Sequence, residues 1–201
     1  MKQFIKKRWP WILGVVVLLV AAALLFWPKA SNSADKPVLT VETPQKISLS
    51  QTEEFTLDVT VSNLGDARYP AMSMSISFDS ARLEFLGVEE GNVFVYDDVS
   101  STGQQLPEWS CNAESSNETG VINIMYLDMT GGKKAFSRDL LAEDHNVVLR
   151  LRFRLRGSVR AGDVLDLILE DAVFAASDET QSLAMTTNTL KTKNGKIVLG
   201  E

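Results

Sequence analysis

Few side chains in this chain of 201 residues have the types and spacing that enzyme chemistry requires. His145 is the only histidine, so a serine or cysteine nucleophile would have a single candidate base, and we interpret His145 as a surface residue. Glu89 and Glu90 form one of several adjacent acid pairs. Neighbours on a strand point to opposite faces, whereas glycoside hydrolysis needs two carboxyl groups about 5–10 Å apart in one cleft. We therefore predict no catalytic residues and no enzyme activity.

The sequence also lacks the patterns that hold metals or phosphate-bearing cofactors. It contains no EF-hand loop and no glycine-rich phosphate loop between a strand and a helix. Cys111 is the only cysteine, so it can form neither an internal disulfide nor a cysteine metal cluster. No metal site and no cofactor are predicted.

One arginine-rich pattern does suggest a binding site. In "LRLRFRLRG" (149–157), arginines alternate with apolar residues, which is typical of a β-strand with one buried face. The arginines, which would share the other face, are Arg150, Arg152, Arg154 and Arg156. Four cations at this spacing suggest binding of phosphate, nucleic acid or anionic lipid.

The acidic and basic residues are unevenly distributed along the chain. All 26 acidic residues follow position 34, whereas 5 of the 20 basic residues precede position 30. The remaining chain carries 15 basic and 26 acidic residues, a formal net charge of −11. Nucleic-acid binding depends on a basic surface that neutralises phosphates. This balance therefore argues against nucleic acid and favours a neutral, cationic or calcium-bearing partner.

The first 36 residues predict a membrane anchor. Residues 1–8 are a basic tail, and residues 9–28 contain no charged side chain, a run just long enough for a helix that crosses the bilayer. Tryptophans at both ends and the preceding basic residues predict a single-pass anchor with a cytoplasmic N-terminus. Residues 29–36 form a short linker, which places the domain in the periplasm or at the cell surface. A cleaved signal peptide, whose apolar core is normally about 7–15 residues, is the alternative and would export the same domain.

Residues 37–201 are dominated by strand patterns. Apolar and polar residues alternate in "EFTLDVTVSNLG" (54–65), "AMSMSISFD" (71–79) and "NVVLRLRFRLRG" (146–157), with turn residues between such segments. "GVINIMYLDM" (120–129) is apolar on both faces, and we interpret it as a central or covered strand. About eight or nine strands of this size predict an all-β fold, an antiparallel β-sandwich.

Two of the connections between the strands are long. Residues 97–119 are predicted to form a polar loop that holds Trp109, and residues 137–143 are predicted to include a short helix capped by Ser137. Long loops in a compact domain are either functional or disordered. Trp109 is either a sugar-stacking aromatic or the buried anchor of its own loop.

The order of these segments resembles the cohesin family across residues 38–199. The likeness is carried by "VLTVETPQKISLSQTEEFTLDVTVSNL" and "MSMSISFDSARLEFLGVEEG", then "VINIMYLDMTGG", "VVLRLRFRLRGSVRAGDVLDLILEDAVFA" and a closing "NGKIVL". It implies a nine-stranded antiparallel jelly-roll β-sandwich. It also implies a non-catalytic module that binds dockerins, which are calcium-bearing helical modules, in polysaccharide-degrading or cell-surface assemblies.

The resemblance also implies where a partner binds: on the sheet that contains the third, fifth, sixth and eighth strands. Carried over to this chain, the contact positions fall at Ala71, Ser73, Asp128 and Gly131. Ala71 and Ser73 depart from the pattern, since some cohesins have Asn and Asp there. Independently of the family, the alternation places Ser73, Ser75 and Ser77 on a small, flat, hydroxylated stripe where a partner helix could lie. Asp128 is expected at the border of this stripe, where it could make a charged contact.

Two other functions are compatible with the same sequence. The sandwich could be a carbohydrate-binding or adhesion module that binds a polysaccharide with Trp109. The chain could also be a structural component of the envelope, in which the anchor carries the function. The outward residues that can be assigned are mostly Ser, Thr, Arg and acids, which favours an exported protein partner over a polysaccharide.

The likeness also predicts the surroundings of the four arginines. In a cohesin-like sandwich their strand lies between "EFTLDVTV" and "RLEFLGV", whose outward acids include Glu54, Asp58 and Glu84. In a hairpin with residues 163–170, the carboxylates would instead be Asp166 and Glu170. Cross-strand pairs of opposite charge contribute about 0.2–1 kcal/mol each. In either arrangement we interpret the arginines as part of a charge-laddered outer face and not as a nucleic-acid site.

Overall fold

The computed structural model describes residues 37–201 except 44–45, 50–53, 65–67, 98–101, 131–132, 176–183 and 186–190. The predicted basic tail, membrane anchor and linker (1–8, 9–28 and 29–36) lie outside the described residues. Within the described part of the chain, no helix has both the length and the apolar character needed to cross a membrane. Residues Asp35–Glu201 form one compact unit.

Most described residues lie in strands, because alternating apolar and polar side chains give a strand one face for a core and one face for solvent. In chain order the strands are β1 (Val38–Val41), β2 (Ile47–Ser48), β3 (Phe55–Ser62), β4 (Ala71–Phe78), β5 (Leu83–Glu90), β6 (Val95–Tyr96), β7 (Gln104–Gln105), β8 (Ser110–Cys111), β9 (Val121–Leu127), β10 (Val147–Leu155), β11 (Val164–Ala175), β12 (Ala184–Met185), β13 (Lys191–Lys193) and β14 (Gly195–Gly200). The structure has more strands than the predicted nine, because several short strands of two residues each, such as β2 and β8, are separate elements.

The strands form two larger sheets whose inner faces share one hydrophobic cluster. Sheet 1 has the order β13-β1-β3-β10-β5, and sheet 2 has the order β2-β14-β11-β4-β9-β8, with β12 beside β11. Strands β6 and β7 pair separately. The predicted β-sandwich is therefore confirmed. The prediction of purely antiparallel pairing is wrong at two sheet edges, where β13 joins β1 and β2 joins β14 in parallel.

Phe153 of β10 connects the two sheets. Its ring centroid lies 6.1 Å from that of Phe55 and 5.6 Å from that of Phe85, both in sheet 1. It also lies 5.7 Å from the ring of Phe78, which belongs to sheet 2. Aromatic pairs of this kind contribute about 0.5–1.5 kcal/mol beyond the area that they bury.

The predicted polar loop at 97–119 includes a helix, α1 (Ala113–Thr119), so the loop prediction is wrong for its last third. Asn112 caps the start of α1, where its side chain accepts a hydrogen bond from a backbone N–H of the first turn. Gly120 ends the helix in the left-handed conformation, with φ at 71°, which glycine adopts without strain. Both capping residues are sequence signals of a helix.

Side chains from the connections hold two parts of this region in place. Asn117 of α1 pairs with the backbone of Phe85, accepting from its N–H and donating to its carbonyl, both at 2.8 Å. These bonds satisfy part of the outer edge of β5, the last strand of sheet 1. The short helix predicted at 137–143 is only a 3-10 turn, Arg138–Leu140, with the predicted cap at Ser137.

The arginines of β10 pair with acids on both neighbouring strands. Arg150 Nε lies 3.1 Å from Asp58 Oδ1. Arg152 pairs with Glu54, and its Nε lies 3.2 Å from Glu89 Oε1. The strand lies between β3 and β5, as the likeness predicts.

The other two arginines of β10 and its exit are also bonded. Arg154 Nη2 lies 3.1 Å from Glu54 Oε1, and Arg154 Nη1 lies 3.5 Å from Glu84 Oε2. Arg156 Nε donates to the Ser80 carbonyl at 2.5 Å. The prediction of a charge-laddered outer face is confirmed, and the alternative hairpin with residues 163–170 is wrong.

Gly91 offers a test of the close packing beside β5. A Cβ atom at this position would lie 2.0 Å from the Val147 carbonyl oxygen. We expect Gly91→Ala to lower the free energy of unfolding by about 1–3 kcal/mol or more, because the backbone must move. Gly200→Ala is the matched control, since the nearest atom to its Cβ would be 3.6 Å away. Denaturant unfolding measures both variants, and equal stability would contradict this close approach.

Glu54 offers a test of the charge ladder. The hydrogen bond from Arg152, supported by that from Arg154, lowers the pKa of Glu54 below its usual 4.5. A lowered folded pKa contributes stability that is present above the unfolded pKa and is lost as pH falls through the folded pKa. We therefore expect the wild type to lose more stability than Glu54→Gln between neutral pH and about pH 3. High salt should reduce the difference between the two proteins.

The measurement is urea unfolding at a series of pH values. Glu118→Gln on helix α1 is the control, because it removes one carboxylate outside the ladder. A Glu54→Gln profile parallel to that of the wild type would show that the ladder does not contribute to the pH dependence.

Candidate functional site

The outer face of sheet 2 carries the predicted hydroxylated stripe. On β4 the outward positions are Ser73, Ser75 and Ser77, while the alternate residues fill the core. Ser75 Oγ donates to Asn123 Oδ1 on β9 at 2.8 Å, and Ser77 Oγ donates to Glu170 on β11 at 2.6 Å. The stripe is therefore flat, and its hydroxyls link three adjacent strands.

Next to β4, strand β9 exposes Met125 and Leu127, and Met129 is exposed in the turn that follows; we call these three residues the apolar row. They are 49%, 52% and 84% exposed. In the register of β4 with β9, Met125 lies opposite Ser73 and Leu127 lies opposite Ala71. Large apolar side chains grouped on a polar surface mark interaction sites more often than scattered ones do.

Strand β9 is buried on one face only. Ile122, Ile124 and Tyr126 lie in the core, whereas the alternate residues from Asn123 onward are exposed. Among the described residues of sheet 2, only the two-residue strand β8 lies beyond β9. The sequence interpretation of a central or covered strand is therefore wrong for the outer face. The sequence signal of the apolar row was the presence of apolar residues on both faces of this strand.

Strand β11 forms the acidic side of the same face. Val164 and Ile168 are 40% and 44% exposed. Asp166 and Glu170 are exposed at outward positions of the strand, and a register shift against β4 leaves Asp171 exposed as well. We call Asp166, Glu170 and Asp171 the acidic side. The outer face of sheet 2 thus combines small hydroxyls in the middle with apolar groups and carboxylates on its two sides.

Most of the predicted partner-binding residues lie together on this face. Ala71, Ser73 and Ser75 occupy outward positions of β4, next to the apolar row. Ser73 is exposed, and the other two are half-buried. Gly131 lies outside the described residues.

Asp128, the fourth described member of the predicted set, holds the turn after β9. Its Oδ1 accepts from the Thr130 N–H at 2.7 Å and from the Thr130 hydroxyl at 2.5 Å. Its Oδ2 accepts from the Lys134 N–H at 3.1 Å, and its own N–H donates to the Pro70 carbonyl at 2.7 Å. Asp128 therefore follows β9 directly, and its hydrogen bonds position the segment that carries Met129.

Tyr126 supports the same turn from the core side of β9. It is 4% exposed, and its hydroxyl donates to the Lys134 carbonyl at 3.0 Å. Burial, followed by the charges of Asp128, Glu108 and Asp97, raises the pKa of Tyr126 to about 12. The phenol therefore remains neutral and keeps its hydrogen bond across the physiological pH range.

Trp109, the candidate sugar-stacking residue, packs against the core. Its ring lies 5.9 Å from Tyr126 and 6.0 Å from Phe136, and the residue is half-buried. Its Nε1 is buried and has no hydrogen-bond partner in the described part of the chain. These contacts favour the anchor of the loop over a sugar-stacking platform.

The remaining candidates for chemistry are placed separately. His145 is exposed, and its Nδ1 lies 2.9 Å from Asp144 Oδ1. Cys111 packs against the core, and burial raises the pKa of its thiol. Among the described residues, no group of three or more His, Cys, Asp or Glu could hold a metal ion. The outer face of sheet 2 is suited to noncovalent binding.

Comparison with known families and proteins gave one family match. The family model described as "Cohesin domain" matches residues 38–197. No curated protein matches the chain.

Solved structures share the fold. A Coh-OlpC cohesin–dockerin complex from Clostridium thermocellum has a TM-score of 0.60 and 15% identity, covering 86% of this chain and 99% of that chain. The sixth cohesin of Acetivibrio cellulolyticus scaffoldin B, in complex with a dockerin, has a TM-score of 0.59 and 17% identity, covering 82% and 99%. CaCohA2 from Clostridium acetobutylicum, whose structure was determined in solution, has a TM-score of 0.56 and 19% identity, covering 83% and 92%.

Trp109 offers a test of the anchor role. We expect Trp109→Ala to lower the free energy of unfolding by about 2–4 kcal/mol, because it removes packing against Tyr126 and Phe136. Trp109→Phe should cost less, since it keeps an aromatic ring and removes an unpaired indole N–H. Denaturant unfolding measures both variants. Wild-type stability of Trp109→Ala, together with loss of binding to a polysaccharide, would instead support the sugar-stacking role.

Proposed function

Because this chain belongs to the cohesin family, we propose that its domain binds a dockerin-type protein module through the outer face of sheet 2. Cohesin domains are non-catalytic protein-interaction modules, and this chain is not an enzyme. The proposed contact residues are Ala71, Ser73 and Ser75 together with the apolar row.

The observation that supports this proposal most strongly is the exposure of the apolar row beside the serine stripe. Each of its three side chains leaves about half or more of its surface in water. Removing apolar surface from water stabilises a complex by about 25 cal/mol per Å², although association costs offset part of this. The outer face of sheet 1, in contrast, carries arginines that are paired with carboxylates.

The composition of the face indicates the chemistry of its partner. The serines keep the middle of the face low, so that a helix can approach the sheet closely. The apolar row would contact apolar side chains of that helix, and the acidic side favours neighbouring lysine or arginine residues. We propose a calcium-bearing helical module of the dockerin type as the partner.

The domain is further proposed to act outside the cytoplasm, held at the membrane by residues 9–28. The support for this is the uncharged run itself and the basic residues 1–8 that precede it. A tethered module would hold its partner, and any polysaccharide-degrading enzyme that carries the partner, close to the cell membrane.

Capture of exported proteins by immobilised residues 35–201 tests the proposal. We expect a captured protein to contain a dockerin module, and the purified recombinant module to bind saturably and to dissociate when calcium is chelated. Recovery of only membrane material, or of exported proteins without such a module, would contradict the proposed function.

A charge placed in the apolar row tests the proposed face. We expect Leu127→Asp to weaken binding of the purified module at least about tenfold, because a carboxylate would then have to lose water within the contact. Thr56→Asp is the matched control, since it adds the same charge to the exposed outer face of sheet 1. Isothermal titration calorimetry measures both affinities, with circular dichroism as the check of folding. Equal losses in the two variants would show that net charge, and not this face, controls binding.

A further inference from the structure

The methionines of β4 and those of β9 and the turn after it lie in opposite environments. Met125 and Met129 belong to the apolar row and are 49% and 84% exposed. Met72 and Met74 are 1% and 2% exposed and lie in the core. Met125 pairs with Ser73, the residue between the two buried methionines. Met125 therefore lies on the exposed side of the sheet and Met72 and Met74 on its core side, while Met129 is exposed in the turn that follows β9.

Exposure controls how readily a thioether reacts with a two-electron oxidant such as hydrogen peroxide. In this reaction the sulfur attacks one peroxide oxygen, a sulfur–oxygen bond forms and the oxygen–oxygen bond breaks. The sulfur is oxidised by two electrons, and the peroxide is reduced to water. The product, methionine sulfoxide, is polar, and sulfoxide reductases return it to methionine at the expense of a thiol reductant.

We infer that Met125 and Met129 are sites of reversible oxidation, and that their oxidation weakens partner binding. This inference rests on the proposed function, because the oxidised side chains belong to the proposed contact face. The apolar row is the part of that face that must lose its water when a partner binds. A sulfoxide oxygen at position 125 or 129 forms hydrogen bonds with water. A partner surface that fits a thioether has no group to replace those hydrogen bonds, so binding would cost more free energy.

Oxidation of the exposed methionines should affect binding, whereas oxidation of the buried ones should affect the stability of the fold. Met125 lies on the outer side of sheet 2 and Met129 lies exposed in the turn after β9, so oxidation of either leaves the core packing unchanged. A sulfoxide at Met72 or Met74 would bring a polar group into the core instead. Oxidation at the surface therefore changes the affinity of a domain that stays folded.

The first part of the test measures selectivity. Residues 35–201 are treated with hydrogen peroxide, and each methionine is followed by peptide mass spectrometry. We expect sulfoxide at Met125 and Met129 well before it forms at Met72 and Met74, with an unchanged circular dichroism spectrum and unfolding midpoint. Equal oxidation rates at the exposed and the buried pair would overturn the inference.

The second part measures binding of the dockerin module identified by the capture experiment. We expect oxidised wild type to bind it at least about tenfold more weakly, and a methionine sulfoxide reductase to restore the affinity. The double variant Met125→Leu, Met129→Leu keeps the apolar volume without the thioether. Its affinity is measured before and after peroxide, and peroxide should not lower it, because neither position can then form a sulfoxide. The double variant Met125→Gln, Met129→Gln, which places polar side chains at both sites, should bind weakly without peroxide.

The outcomes distinguish this inference from the function on which it rests. Undiminished binding by the oxidised wild type would overturn the inference and leave the proposed function in place, as would an equal loss in the leucine variant. Failure of the untreated wild type to bind any dockerin module would overturn both.

Discussion

The contact between Phe153 and Phe78, 5.7 Å between ring centroids, joins the two sheets and sets the direction of every outward side chain around it. Strand residues alternate between faces, so a buried Phe153 places Arg152 and Arg154 outside sheet 1. In the same way, a buried Phe78 places Ser77 outside sheet 2. A slip of one residue in either strand would bring arginines or serines into the core, which the core cannot accommodate without unpaired polar groups.

The two outer faces that result have different physical properties. On sheet 1 each arginine of β10 has carboxylates from β3 or β5 beside it, and exposed pairs of this kind contribute only about 0–1 kcal/mol each. Their main effect is to neutralise the arginines, which would otherwise attract anions. On sheet 2 the apolar row is exposed in the folded chain, so its burial remains available to a partner.

The alternation in the sequence was sufficient to predict strands β3, β4 and β10 and the outward direction of the serines, whereas the neighbours of the arginines were predicted from the family likeness. The alternation could not show that the outer face of β9 is exposed. A strand that is apolar on both sides is compatible with a covering layer or with an open face, and the difference depends on the distant strands of the sheet. Helix α1 was missed because its seven residues are almost all polar and carry no apolar period, although Asn112 and Gly120 mark its ends.

The register of β4 with β9 gives a physical reason for the departures from the family pattern at Ala71 and Ser73. The family likeness leads one to expect Asn and Asp at these positions, yet they lie directly opposite Leu127 and Met125. A carboxylate at 73 would hold water against the neighbouring thioether and weaken any apolar contact there. With Ala and Ser instead, the β4–β9 side of the face is small and apolar, and the carboxylates are concentrated on β11. The exposed apolar side chains of β9 and the carboxylates of β11 thus lie on opposite sides of the serine stripe, and β11 adds the exposed Val164 and Ile168 beside its carboxylates.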